Sequence, residues 1–433
     1  MPVVEFNSNP IINAAVIFPD IAERILTVSS ESRLNEAVGL ALAINLNVIY
    51  QEVIHIRNVK PATLIGQGVL SRLRTTFTEN QIELLVVDSS LSPIQQRNLE
   101  KFLQIKVIDR TALILEIFGE RAQTNEGKLQ VELAHLTYQR SRLVRSWTHL
   151  ERQRGGAGFL GGPGETQIEL DRRIIDEKIL RIKKDLEKVR QTRQIQRSAR
   201  KRVPYPIVAL VGYTNAGKSS LFNMLTQGGV LAKDMLFATL DTTLRKLELP
   251  SGRNVILSDT VGFISDLPHE LVMAFRATLE EVLEADIIVH VRDIANPETK
   301  EQRRDVIKVL ESLGLNNITE NKRYIELLNK IDLISEEQKN SLPKNTSVIA
   351  ISAQTGEGKK TFLQAIDDIL AIDYKIEEIS IPVSDGKTLA WIYENAEILS
   401  RQDKESHIIV KIRINNSAYS HLCKILKLQP CVV

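Results

Sequence analysis

The sequence predicts an α/β protein built largely on parallel sheets, and three observations carry that prediction. Short apolar runs alternate with helical periodicity through residues 1–125. A later apolar run, 207–211, leads straight into a glycine-bearing loop and another helical pattern. Between the two lies a stretch, 128–200, whose apolar residues recur every three or four positions. Strands alternating with helices form parallel sheets, because parallel neighbours need a crossover connection. The 3,4 spacing belongs instead to helices that meet along one seam.

In chain order, strands are expected at 14–18, 47–56, 82–88 and 106–109, with helices at 34–45, 62–78, 93–103 and 110–121. They assign 1–127 to a small N-terminal α/β subdomain. Gly66 and Gly68 fall short of a dinucleotide fingerprint and read as a turn or a helix start. Leu129, Leu133, Leu136, Leu143, Trp147 and Leu150 mark one helix, with Arg140 breaking the stripe; Ile168, Ile175, Ile179, Ile182, Leu186 and Val189 mark a second. Their stripes bury each other in a helical hairpin over 128–203 with a connector at 152–167. Pro204 and Pro206 end the second helix. Residues 204–373 form a mostly parallel, doubly wound domain. The last segment, 374–433, is a small C-terminal α/β unit, with strands at 377–382 and 407–413 and helices at 387–398 and 417–426.

Composition narrows the class. At 433 residues the chain suggests about three domains of roughly 150 residues, and 43% apolar residues are enough to fill them. The net charge of +2 hides an asymmetry. Residues 137–202 hold 18 Lys/Arg against 8 Asp/Glu, a local +10, which leaves −8 for the rest. Such a segment is suited to a polyanion. Its last stretch, VRQTRQIQRSARKR (189–202), has six cations and no anion. Cys423 and Cys431 lack metal-ligand spacing and fit a reducing compartment. The N-terminus lacks the order of a signal peptide, and no apolar run is long enough to span a bilayer. A soluble, cytoplasmic monomer is expected.

The hairpin connector, RQRGGAGFLGGPGETQ, carries six glycines in residues 155–164. It is longer than helix pairs usually need, and glycines make it costly to order. Gly155, Gly156, Gly158, Gly161, Gly162 and Gly164 permit close backbone approach to another surface. Arg152 and Arg154 precede the tip, and Arg172 and Arg173 follow it. The expectation is a loop that folds onto RNA; a flexible loop is the bland alternative.

The chemistry lies in the third segment. Gly212, Tyr213, Thr214, Asn215, Ala216, Gly217, Lys218 and Ser219 spell GxxxxGK[ST] between an apolar strand and a helix, the context of a phosphate-binding P-loop. Its N–H groups and the helix N-terminus cradle phosphates, Lys218 adds a cation between the β- and γ-phosphates, and the Ser219 hydroxyl suits Mg²⁺. In LFATLDTT (236–243), Thr239, Thr242 and Thr243 are all chemically able to complete the Mg²⁺ shell and sense the γ-phosphate. Asp259 should hold Mg²⁺ through water, in the run Asp259-Thr260-Val261-Gly262, and the Gly262 N–H should meet the γ-phosphate. Asn329-Lys330-Ile331-Asp332 reads the base: the Asp332 carboxylate accepts from guanine N1–H and the exocyclic amine. Adenine would leave that acceptor unpaired, at a cost on the order of several kcal/mol. Ser352-Ala353-Gln354 supplies N–H groups to guanine O6. These residues point to a GTPase with Mg²⁺ as cofactor, in which Lys218, Thr239 and Gly262 touch the reacting phosphate. Phe263 stands where many GTPases place a water-orienting glutamine, so slow intrinsic hydrolysis awaiting a partner is expected.

On RGGAGFLGGPGETQIELDRR (154–173), GYTNAGKSSLFN (212–223), LFATLDTT (236–243), DTVGFI (259–264) and NKID (329–332), the chain resembles the HflX GTPases over about residues 10–370. The resemblance implies an N-terminal α/β subdomain, a hairpin and a GTPase domain. It also implies association with the large ribosomal subunit, in splitting or rescue of ribosomes or in their biogenesis, with the hairpin tip directed at ribosomal RNA. It makes Thr239 the threonine on Mg²⁺ and extends the nucleotide contacts through Phe237, Ala238, Thr239, Leu240 and Asp241. Tyr213 stands where the family often has phenylalanine, Ser220 where it has threonine, and Thr242 where a proline is usual; Gln354 is also atypical. These departures are expected to leave GTP binding intact. Two alternatives differ in their tests: a GTPase acting on another RNA would be stimulated by isolated RNA but not by ribosomes, and a regulator that uses GTP as a structural ligand, its basic hairpin binding an acidic protein, would capture its partner regardless of nuclease.

Overall fold

The computed structural model of the chain describes residues 12–22, 28–153, 163–200, 205–226, 237, 239, 242–265, 282–343, 345 and 347–426. Among these the strands form three sheets. The first contains β1 (Asn13–Ile21), β2 (Asn47–Ile56), β3 (Leu84–Val87) and β4 (Lys106–Asp109), all parallel in the order β2-β1-β3-β4. Central β1 is buried from Ala14 to Pro19, which is why it reads as an unbroken apolar run rather than as an alternation. Its extension to Ile21, beyond the expected strand, is held by pairing with β2. Helices α1 (Ser30–Ala43), α2 (Gln67–Glu79), α3 (Pro93–Leu103) and α4 (Arg110–Arg121) cover the sheet. Capping sets their starts. Ser29 accepts from the Ser32 N–H at 3.2 Å, so α1 begins four residues before its apolar stripe. Ser92 and Gln95 form a capping box on α3, and Asp109 accepts from the Ala112 N–H at 2.9 Å on α4. Gly66 is the N-cap of α2, so the paired glycines are a helix start.

The connections through α1 and α3 lead away from each other. The boundary between β1 and β3 is therefore the topological switch point of this sheet.

Helices α5 (Asn125–Gln153) and α6 (Pro163–Arg200) form the hairpin. Both run further into the connector than expected. Residues 154–162 lie outside the described set. Leu136, Ile179 and Ile182 are buried between the helices, with Leu129, Leu133, Ile175 and Leu186 against them. Arg140 breaks the stripe because it reaches across to Asp176, at 3.2 Å. The base of α5 is tied to the first sheet, where Tyr138 and Arg142 both donate to Asp109, at 2.8 and 2.6 Å.

The second sheet holds β5 (Ile207–Gly212), β6 (Thr243–Glu248), β7 (Asn254–Asp259), β8 (Ile287–Asp293), β9 (Tyr324–Asn329) and β10 (Val348–Ala350), in the order β10-β9-β8-β5-β7-β6. Only β6 runs antiparallel, so the sheet is mostly parallel and doubly wound, as the sequence predicts. Around it lie α7 (Lys218–Thr226), α8 (Thr299–Ser312), α9 (Glu336–Asn340) and α10 (Lys359–Asp373).

The third sheet is antiparallel: β11 (Tyr374–Pro382), β12 (Ala396–Asp403) and β13 (His407–Asn415), with α11 (Gly386–Asn395) and α12 (Asn416–Leu426). The helix expected at 387–398 stops at Asn395. Residues 396–403 form a strand because β13 offers them a full antiparallel partner, with Ile398 packing on the sheet core. Among the described residues no helix is long and apolar enough to cross a membrane.

Candidate functional site

The loop after β5 sits at the switch point of the six-stranded sheet, between β5 and β8. Gly217 takes φ 92°, and a Cβ there would fall 2.2 Å from Asn329 Nδ2. A side chain would thus break both the turn and the link between loop and base clamp. Lys218 opens α7 and is buried, with its ammonium donating to the carbonyls of Gly212 and Tyr213, at 3.0 and 2.8 Å. Burial holds its pKa down to about 8. This is a cation held ready for phosphate without a carboxylate bound directly to it.

Three oxygens converge next to it. Ser219 Oγ donates to Asp259 Oδ2 at 2.8 Å, Thr239 Oγ1 donates to the same atom at 3.0 Å, and the two hydroxyls are 2.8 Å apart. Asp259 lies at the end of β7 and is fully buried. Its Oδ1 has no hydrogen-bond partner among the described residues. Burial raises its carboxyl above the usual range, against the pull of Lys218 and of the two hydroxyls. One buried carboxylate with an unpaired oxygen, beside two hydroxyls, is a donor set that fits Mg²⁺ shared with phosphates. Of the three threonines left open by chemistry, Thr239 is the one that joins this set. Thr243 begins β6 opposite Asp259, and Thr242 Oγ1 has no hydrogen-bond partner among the described residues.

Gly262 lies against the loop. A Cβ on it would meet Thr214 Cγ2 at 2.9 Å and Lys218 Nζ at 3.1 Å, so only glycine brings this backbone so near the lysine. Thr260 donates to the Leu210 carbonyl at 2.6 Å, and Val261 is buried. Phe263 is pinned by its backbone on both sides of the loop. Its N–H donates to the Gly212 carbonyl at 3.1 Å, and its carbonyl accepts from the Thr214 N–H at 2.7 Å. Its ring is buried in the hydrophobic core.

At the other end, Asn329 closes β9 and ties two loops together. Its amide donates to the Ala216 carbonyl at 2.9 Å, and its Oδ1 accepts from the Ala353 N–H at 3.0 Å. Lys330, at φ 66°, pairs with Asp293 at 2.7 Å. The Ile331 side chain is buried, and Asp332 and Gln354 are exposed. Ser352 is buried and accepts from the Thr355 N–H at 3.0 Å. The clamp and the cradle therefore form one frame at the carboxyl edge of the sheet.

The comparisons with known proteins agree with this frame. Residues 31–119 match the family described as GTP-binding GTPase N-terminal, 121–200 the GTP-binding GTPase middle region, 207–330 the 50S ribosome-binding GTPase, and 337–430 the HflX C-terminal domain. GTPase HflX of Magnetococcus marinus is 47% identical over 90% of this chain and 90% of its own length. The chain belongs to the HflX family of GTPases. GTPase HflX of Escherichia coli K12 is 40% identical over 84% of this chain and 85% of its own. A GTP-binding protein from Sulfolobus solfataricus, solved in complex with GDP, is 23% identical, with a TM-score of 0.45 over 83% of this chain and 99% of that one.

The remaining site residues of this HflX-family GTPase divide by location. Phe237, at φ 55°, is buried edge-on against Phe118 of α4, with ring centroids 4.7 Å apart. Ala238, Leu240 and Asp241 lie outside the described residues, as do Arg154, Gly155, Gly156, Gly158, Gly161 and Gly162. Arg152 falls in α5 and Gly164 in α6. Arg172 and Arg173 are on the exposed part of α6, with Arg172 at 4.0 Å from Asp176.

One residue of the phosphate loop reaches beyond it. The Tyr213 hydroxyl is not idle: it accepts from the Ser265 N–H at 2.9 Å and donates to Glu36 of α1. Burial, then Glu36, raises its pKa above the ordinary tyrosine value. Glu36 and its neighbours carry no motif, and sequence reading missed them; the available signal was a pair of charged residues, Arg33 and Glu36, beside the apolar residues of α1.

Proposed function

We propose that this chain is a GTP-switched factor of the large ribosomal subunit, acting in ribosome splitting or rescue, in protein synthesis or in ribosome biogenesis. The family match supports a ribosome-binding GTPase domain. The observation that carries the nucleotide chemistry is the convergence of Ser219, Thr239 and Asp259 beside Lys218. In this reading the loop 212–219 cradles the phosphates and Asp332 selects guanine. Ser219 and Thr239 hold Mg²⁺, with Asp259 acting through water. Bound Mg²⁺ neutralises charge on the phosphates. Lys218 places its cation at the β- and γ-phosphates, and the Gly262 N–H donates to the γ-phosphate. Phe263, buried and bonded to the loop on both sides, brings no group that could orient water. Intrinsic hydrolysis is therefore slow, and the ribosome accelerates it.

The contact with RNA is assigned to the hairpin, through the glycine-rich tip and Arg152, Arg154, Arg172 and Arg173. The local charge of +10 over 137–202 supports it, since phosphate contacts come chiefly from Arg and Lys. The chain divides at about 127, 203 and 373, and works as a cytoplasmic monomer. The test is co-sedimentation with large subunits plus single-turnover hydrolysis, for the wild type and a deletion of 155–164. Expected is stimulation of hydrolysis by the subunit, with binding that weakens steeply with salt and is lost in the deletion. Equal hydrolysis with and without the subunit would end the proposal, and unchanged binding in the deletion would remove the hairpin from it.

A further inference from the structure

In open parallel sheets the crevice at the topological switch point is where ligands bind. In the four-stranded sheet that crevice lies above the carboxyl ends of β1 and β3. Four charged side chains gather there: Arg33 and Glu36 from α1, Asp88 from the end of β3, and Arg110 from the start of α4. Arg33, Asp88 and Arg110 are 5%, 1% and 4% exposed. They do not face solvent, and they are joined by Ser265, three residues past Gly262. The Ser265 carbonyl accepts from Arg110 at 2.9 Å. Its hydroxyl accepts from Arg33 and lies 3.3 Å from Glu36. Its N–H donates to Tyr213 of the phosphate loop, at 2.9 Å. Glu36 accepts from Tyr213 as well, and is paired with Arg110 at 2.5 Å; Arg110 also binds Asp88. Two buried guanidiniums and two carboxylates are costly to desolvate unless hydrogen bonds compensate them. Ser265 and Tyr213 supply several of those bonds, while Asp88 Oδ2 and Arg110 Nε have no hydrogen-bond partner among the described residues.

We propose that Glu36 and Arg110 are positioning residues for GTP hydrolysis: the ligand crevice of the N-terminal sheet is a socket for Ser265, and by holding it fixes Gly262 beside the phosphate loop. Three peptide links separate Gly262 from Ser265, a reach of at most about 11 Å. One end of that span is held by the backbone bonds of Phe263 to Gly212 and Thr214, and the other by the socket. The socket thus acts chiefly on the γ-phosphate contact; it meets the phosphate loop only through the Tyr213 hydroxyl and has no bond to the base clamp among the described residues. Phe118 of α4 grips Phe237, two residues before Thr239, so the same helix pair bears on the Mg²⁺ threonine. This inference rests on the reading of Gly262 and Asp332 given above.

The experiment uses the full chain, with single-turnover GTP hydrolysis and GDP affinity measured for Glu36→Gln, Tyr213→Phe and the double variant. Tyr213→Phe keeps every charge and removes only a hydroxyl, so it reports even if Glu36→Gln folds poorly. Expected is a hydrolysis rate about tenfold lower for Glu36→Gln and about threefold lower for Tyr213→Phe. The double variant falls no lower than Glu36→Gln alone, since both act through one contact, and GDP affinity stays within about twofold throughout. Wild-type rates in both single variants overturn the socket. So does a parallel fall of hydrolysis and GDP affinity, which would mark general damage. Asp332→Asn serves as the control that separates the two readings. If it loses GTP while the socket variants behave as wild type, the site reading stands and the socket falls. If it binds GTP as the wild type does, both fall.

Discussion

The six-stranded sheet lines its carboxyl edge with groups suited to a nucleotide: Lys218, Ser219, Asp259 and Asn329, each from the end of a strand or the start of a helix. The four-stranded sheet covers the corresponding edge with its own chain, at Ser265. The two sheets share a winding logic and differ in what fills the switch point. In the first, the convergent side chains leave Asp259 Oδ1 and Thr214 Oγ1 without hydrogen-bond partners among the described residues. In the second, Ser265 uses its N–H, its carbonyl and its hydroxyl together. The difference lies in what occupies the crevice: one edge carries the phosphate loop of a GTPase, and the other, where Asp88 Oδ2 and Arg110 Nε also lack hydrogen-bond partners among the described residues, closes on a segment of the same chain.

The largest effect that would break this contrast is at the base clamp. Asp332→Asn exchanges a double acceptor for an acceptor and a donor. GTP affinity should fall about 100-fold, equivalent to about 2.7 kcal/mol, and xanthosine triphosphate, whose C2 oxygen accepts from the new amide, should bind better than GTP. Equal affinities for both nucleotides before and after the change would remove Asp332 from the clamp.

A smaller effect comes from pH. In the free chain Lys218 is held down to about 8 by burial, while a bound phosphate favours its charged form. Binding above pH 8 therefore takes up a proton, so affinity is full below that value and declines as pH rises. Between pH 7 and 9, GDP affinity should weaken about tenfold; calorimetry showing no proton uptake at pH 9 would contradict it. Arg110 of the socket keeps its charge throughout this range. Burial works against the charge on Arg110, but Asp88 and Glu36 more than offset it and hold it above its usual value.

The smallest effect is Ser265→Ala. It removes the hydroxyl contacts to Arg33, Tyr213 and Glu36 but keeps the backbone bonds to Tyr213 and Arg110. Stability should drop by about 1 kcal/mol, with hydrolysis reduced less than threefold. A larger loss of hydrolysis than in Glu36→Gln would place the hydroxyl, rather than the backbone, at the centre of the socket.

Sequence legibility follows the range of the chemistry. The phosphate loop, NKID and the alternation of β1 to β4 are local patterns, and spacing alone locates them. β6 and β12 escape because TLRKLE and AEILSRQD are outer strands of their sheets and largely exposed, with little apolar alternation to mark them. β12 becomes a strand only through its partner β13. Glu36 and Ser265 are 229 positions apart, so no window or period contains both. Arg140 interrupts the apolar stripe of α5 because its partner, Asp176, lies across the hairpin. In each case the missed feature depends on a distant partner, and the legible one on neighbours.

The edge-on contact of Phe118 with Phe237 joins an aromatic ring of one sheet's last helix to the segment carrying Thr239. Free-energy coupling of this kind runs equally in both directions. If GTP changes how firmly α4 is held, then any molecule that presses on α4 changes GTP affinity by the same factor. The N-terminal sheet is then as much an input to the nucleotide as an output from it.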